Sequence, residues 1–164
     1  MGGVIMMMLY RLVRLIETHS QPLAAGLLTR VETSELATHY QEHVPGEELK
    51  QTVYEIYRHL GEWLIGKDES HLAQRYMQIG ARRAQQSVPM SELIWVIVQT
   101  KENLWEFIKK ESSFGRPVEV FGELEMLQLL EQFFDDAIYH ASVGYELAIK
   151  EQVLGEIGTS CKSA

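Results

Sequence analysis

The sequence predicts an all-α protein: an orthogonal helical fold of about six to seven helices that closes with an unusually long one. Three observations carry this. Apolar residues recur at helical intervals in almost every segment, and no stretch alternates as a strand would. The run Leu93-Ile94-Trp95-Val96-Ile97-Val98 is apolar on every face, which marks a central, buried helix. From Phe121 through Leu124, Leu127, Leu130, Phe134, Ala137, Ile138, Ala141, Tyr145, Ala148 and Ile149 a single apolar face persists without a break.

Taken in order, Val4 to Glu17 reads as an amphipathic helix with Ile5, Met8, Leu9, Leu12, Leu15 and Ile16 on one side and Arg11 and Arg14 opposite. Pro22 fits the first turn of a second, short helix over 23–31. Ser34 has the chemistry of an N-cap for a helix from Glu35 to Glu42, which Pro45-Gly46 ends. Glu47 to Ile65 places Leu49, Val53, Ile56, Tyr57, Leu60, Trp63 and Leu64 on a core side. A turn at Gly66-Lys67-Asp68 leads to a helix over 69–86, with Leu72, Tyr76, Ile79 and Arg83 in one row. After Ser87-Val88, Pro89 opens the central helix, and Glu92 sits one turn in, where a carboxylate meets the positive end of the helix dipole. Ser112 to Arg116 reads as a loop, and the last helix runs from Pro117 to about Leu154, with 155–164 as a flexible tail beyond Gly155 and Gly158.

Composition bounds the class. A chain of 164 residues with 46% hydrophobic and 23% charged content fits one domain, 1–164, with its core at about 8–150. A net charge of -8 argues against nucleic acid as a partner, since phosphate binding wants a basic face. The one cysteine, Cys161, leaves no internal disulfide and no cysteine-based zinc site. No apolar run has the length of a membrane span, and the apolar start is not followed by a small-residue cleavage site. Position 6 is Met where a myristoylation signal would have Ser or Thr. The expectation is a cytoplasmic protein without membrane insertion.

The helix end around Gly80, Arg83 and Ala84, the turn Pro89-Met90-Ser91-Glu92-Leu93, and Lys101, Leu104 and Trp105 on the helix that follows resemble the RsbRD-type N-terminal domain. That family comprises RsbT co-antagonists of the bacterial stressosome and related sensors. Phe134-Asp135-Asp136-Ala137-Ile138, with Tyr145 beyond it, resembles the family's closing motif. The likeness covers roughly residues 8 to 150. It implies a non-haem globin-like domain and a regulatory, non-enzymatic role in stress signalling.

The constellations that suggest chemistry are few. His39-Tyr40-Gln41-Glu42-His43 matches the inverted zinc-peptidase pattern, with two histidines on one helix face, but its helix ends almost at once at Pro45. A polar surface helix is the preferred reading. A haem ligand would be wanted shortly before the Val88-Pro89 turn, and Arg82-Arg83 stand there; arginine stays protonated and does not ligate iron. His59, His71 and His140 read as helical surface residues. The acidic residues of the last helix, Glu131 and Asp135 among them, read as a solvated face. We therefore expect no catalytic residue, no metal and no cofactor.

Arg83, Trp95, Lys101 and Trp105 are the candidates for a pocket or signalling site, with Arg83 either meeting an anion there or paired to a carboxylate such as Glu92. Leu9, Leu12, Ile16, Phe134, Ile138 and Tyr145 are the candidates for a dimer interface, because two apolar-faced helices at the chain ends exceed what one small domain covers. The expected partners are a second copy and a signalling protein or fused output domain reached through the last helix. The alternative is a globin-like protein that binds a small ligand or haem.

Overall fold

The computed structural model describes residues 2–66, 69–111 and 117–162, with backbone alone at 4, 5 and 117–123. Among them are six α-helices, one 3-10 turn and no strand. They are α1 (Gly2–Glu32), the 3-10 turn Glu35–Ala37, α2 (Thr38–His43), α3 (Gly46–Gly66), α4 (Glu69–Gln85), α5 (Met90–Glu111) and α6 (Pro117–Lys162). The all-α class and the long final helix are as the sequence predicts, and the arrangement is that of the globin-like class. The connection at 112–116 and residues Lys67 and Asp68 lie outside the described residues.

The first correction is at Pro22. Where two helices are expected, α1 is one helix of 31 residues with Pro22 inside it. A proline there removes one backbone hydrogen bond. The buried row Leu9, Leu12, Val13, Ile16, Ser20, Leu23, Ala24, Leu27 and Val31 keeps its period straight across Pro22. The helix lies against α3 and α5 along this row, and burial of that row outweighs one lost bond. Upstream, Thr18, His19 and Ser20 bond back to the carbonyls of Arg14, Leu15 and Glu17, a pattern that commonly bends a helix. Ser34 caps as expected, accepting from the Leu36 N–H at 3.1 Å.

The second correction is at the other end. Gly155 and Gly158 do not end α6, which continues to Lys162. At about 1.5 Å per residue its 46 residues span roughly 69 Å.

The core gathers Leu27, Tyr57, Leu60, Leu93, Leu104, Leu130 and Phe133, all fully buried. Trp95 is half-buried and packs against this core from its edge, so the apolar run of α5 is covered on fewer sides than its composition suggests. On α6, Gly144 faces Met77, and on α4, Gly80 faces Ala141. A Cβ at Gly80 would lie 1.9 Å from the Ala141 carbonyl oxygen, and one at Gly144 would lie 2.0 Å from that of Met77. Only glycine lets the two backbones come this close.

Candidate functional site

The chain leaves α4 through a turn with a specific hydrogen-bond signature. Ser87 N–H donates to Ala84 O and Val88 N–H donates to Arg83 O, both at 3.1 Å. This is a Schellman closure with Ser87 in the left-handed region, φ 59°, where glycine is usual. Val88 is fully buried beneath the turn, and Tyr145 of α6 donates its hydroxyl to Val88 O at 2.7 Å.

Arg83, one turn before this closure, is 1% exposed. Its Nε donates to the Tyr40 hydroxyl at 2.7 Å, and its guanidinium carbon lies 5.3 Å from the centre of that ring. Its Nη1 donates to Glu48 Oε1 at 2.6 Å and to Gln86 Oε1 at 2.7 Å, and its Nη2 donates to Thr52 Oγ1 at 3.3 Å. Gln86 and Arg82 also donate to Glu48. The cluster joins α2, α3 and α4. Burial works to raise the Glu48 carboxyl, but the hydrogen bonds and charges of Arg82 and Arg83 outweigh it and leave the group below its ordinary range. Burial raises the Tyr40 phenol despite Arg83 beside it. This buried charge fastens α2, α3 and α4 together, and four of its five N–H donors meet acceptors within the chain.

Glu92 is therefore not the partner of Arg83. Its buried carboxylate reaches α2, where Oε2 accepts from Tyr40 N–H at 2.8 Å and Oε1 lies 2.7 Å from His39 Nδ1. It thus supplies the start of α2 with an acceptor and a negative charge. The two histidines of the zinc-like pattern stack on one another, ring centres 6.3 Å apart, and His39 is turned to Glu92.

Lys101 and Trp105 come together, but away from Arg83. Lys101 Nζ donates to Glu131 Oε2 at 3.0 Å and Trp105 Nε1 donates to Glu131 Oε1 at 3.1 Å. Glu131 is thus a tie between α5 and α6 rather than part of a purely solvated face.

The residues read as a dimer interface are placed differently from that reading. Leu9, Leu12, Ile16 and Phe134 are buried in the chain's own core, and Ile138 and Tyr145 pack against it. An apolar stripe does not record which surface will cover it. The apolar side chains left exposed are others, including Met7 and Tyr10 on α1 and Tyr139, Leu147, Val153, Leu154 and Ile157 on α6.

A cavity of about 370 Å³ opens between α3 and α4. Ile56, Trp63, Leu72, Tyr76 and Ile79 form its apolar walls, and Glu55, His59, Glu62, His71 and Arg75 its polar lip. Arg75 is paired with Glu55, and His59 Nδ1 lies 2.6 Å from Glu55 O. Behind the walls stands Phe133 of α6, edge-on to Trp63 at 5.4 Å and to Tyr76 at 5.9 Å between ring centres. Tyr76 reads from the sequence only as a core residue, whereas Trp63 also reads as a possible pocket residue and stands four positions after His59 on the same face of α3.

Among families of known proteins, the model of the RsbT co-antagonist protein rsbRD N-terminal domain matches residues 21–155. No curated protein and no solved structure matches the chain.

Proposed function

The chain belongs to the RsbRD N-terminal domain family, a stressosome-type signalling family, and from that premise we propose a non-enzymatic regulatory domain that pairs with a second copy and passes a signal along α6. In this reading it works in the cytoplasm, and its output is a signalling protein or a fused domain. The supporting observation is the division of α6. Up to Ala148 its buried residues pack into the domain, whereas every residue from Ile149 to Lys162 is exposed. Within that exposed end, Leu154, Ile157 and Cys161 continue from Leu147 at steps of seven, three and four, the spacing of a coiled-coil seam. A helix ordered over so many exposed residues, with apolar side chains on one seam, is suited to lie beside a copy of itself. A small shift of α4 against α6 at the glycine crossing would then be carried to the distal ends, as packed helices move between discrete arrangements.

The test is mass in solution. Light scattering at micromolar concentration is expected to give a dimer, and Leu154→Glu with Ile157→Glu is expected to weaken it at least tenfold without lowering the melting temperature. A monomer across the accessible range, or a dimer indifferent to both charges, rejects the reading. Because Gly144 and Ala148 are buried and Tyr145 holds the Val88 turn, a truncation that probes the output end belongs after Lys150, not before Gly144.

A further inference from the structure

On the reading of α6 as the output helix, we propose that Glu131 is a latch: it sets the angle at which α6 crosses the domain, and the exposed end from Ile149 to Lys162 is the arm that this angle moves. Both oxygens of the Glu131 carboxylate are held from α5, Oε2 by Lys101 Nζ at 3.0 Å and Oε1 by Trp105 Nε1 at 3.1 Å. Lys101 and Trp105 stand one helical turn apart, so the grip fixes the direction of Glu131 as well as its place. The Lys101 side chain is 18% exposed and that of Glu131 43%. An ion pair so open to water adds little to stability. The fully buried Leu130, Phe133 and Phe134 are what hold this segment in the core. What the carboxylate adds is a fixed position of α6 against α5.

The fulcrum lies farther along the helix. Where Gly80 and Gly144 cross, the backbones of α4 and α6 touch, so no side-chain ridge sits in a groove to fix the angle between them. Tyr145 pins this point through its hydroxyl on Val88 O. At about 1.5 Å per residue, Glu131 stands roughly 20 Å before Gly144 and Lys162 roughly 27 Å after it. A shift of about 1–2 Å at Glu131, the usual size for packed helices, therefore becomes roughly 1.5–3 Å at Lys162. The part of α5 that grips the latch is tied to the rest of the domain. Thr100 O, next to Lys101, accepts from the Tyr57 hydroxyl of α3 at 3.0 Å, and Asn103 Nδ2 donates to Leu23 O of α1 at 2.9 Å. A displacement of α1 or α3 thus reaches Lys101 and Trp105, and through them Glu131.

Cys161 is the one cysteine of the chain and is exposed. A nitroxide there and a second on Glu102→Cys, an exposed position of α5, give the distance from α5 to the distal end by pulsed EPR. Dilution of the doubly labelled chain in unlabelled protein keeps that distance within one chain. Glu131→Ala is expected to shift or broaden it by about 2 Å or more while the melting temperature stays nearly unchanged. Lys101→Met, which leaves Glu131 in place, is expected to act in the same direction. Glu131→Gln keeps an acceptor for Trp105 and is expected to have the smaller effect. Glu125→Ala removes an exposed acid of the same helix and is expected to have none. The latch is overturned if the distance is unchanged in both Glu131→Ala and Lys101→Met, if Glu125→Ala alters it as much, or if it changes only together with a lowered melting temperature. A monomer whose distance shifts rejects the pairing of two copies and keeps the latch. A dimer whose distance stays fixed keeps the pairing and rejects the latch.

Discussion

The two ends of α6 are made from similar residues and meet opposite fates. Between Met126 and Ala148 the helix buries Leu130, Phe133, Phe134, Ala137 and Ala141, and Gly144 lets α4 approach to backbone contact. Between Ile149 and Lys162 it still carries Ile149, Val153, Leu154 and Ile157, yet all are exposed, and a methyl group added at either of its glycines would meet nothing within 4 Å. Apolar content alone therefore does not distinguish a helix segment that holds a domain together from one available to a partner. What distinguishes them is the surface opposite: α4 and the core for the first, none of the described residues for the second.

The largest contrast is expected on truncating one apolar side chain in each end. Phe133→Ala removes a fully buried ring that touches Trp63 and Tyr76, and is expected to cost about 3–5 kcal/mol in denaturant unfolding. Ile157→Ala, measured on dilute protein, is expected to stay within about 0.5 kcal/mol. Equal losses would mean that the distal end is covered. Trp95→Ala, at the half-buried edge of α5, is expected to fall between them, about 1–3 kcal/mol.

The same exchange at two glycines of one helix is expected to change sign. At Gly144 the new methyl meets the Met77 carbonyl, and since backbone has to move, Gly144→Ala is expected to destabilise by about 2–3 kcal/mol. At Gly155 nothing stands in the way, and Ala has the better helix propensity, so Gly155→Ala is expected to stabilise that end by up to about 1 kcal/mol. Helicity of a peptide over 149–162 and unfolding of the full chain read the two effects separately. A neutral Gly144→Ala would break the claim of a close crossing.

Acid is expected to loosen the cluster that joins α2, α3 and α4. Glu48 titrates below its ordinary value of 4.5 in the folded chain. A depressed carboxyl contributes stability above the unfolded-state value, and that contribution is lost as the pH falls through the folded value. The melting temperature is thus expected to decline below about pH 4.5, and the Glu48→Gln variant, less stable at pH 7, to decline less. Identical slopes would remove Glu48 from the account.

Much of this arrangement was legible in the sequence because it is written in local periods. The bounds of α3, α4 and α5 fall within a residue or so of those the apolar rows and the Pro89 turn predict. Pro22 misled because a local breaker was weighed without the buried row that spans it. Gly155 and Gly158 misled in the same way. The candidate sites were less legible, since each rests on a long-range choice. Arg83 is conspicuous in the sequence, but its carboxylate is Glu48, 35 residues earlier, and not Glu92. Lys101 and Trp105 lie on one helix, and Glu131, which joins them, comes from another. The apolar faces named for a dimer were read correctly as needing cover, but the chain covers them itself.

The smallest expected effect is at Ser87, in the turn that joins the fastened end of α6 to Arg83. Its φ of 59° places a side chain in the left-handed region, at a cost relative to glycine of roughly 1 kcal/mol. Glycine would relieve that strain while giving the unfolded chain more freedom, which offsets part of the gain. Both backbone bonds of the closure, Ser87 N–H to Ala84 O and Val88 N–H to Arg83 O, survive the change because neither uses the side chain. Ser87→Gly is therefore expected to raise stability by about 0.5 kcal/mol. Ser87→Val, whose branched side chain resists the left-handed region, is expected to lower it by more than that. Because Tyr145 holds Val88 O in the same turn, the loss with valine should be matched by slower-relaxing, better-protected amides becoming exchange-competent around Tyr145 and not beyond Ile149. Protection lost equally along the whole of α6 would show that its two ends unfold as one unit, and the division drawn between them would fail.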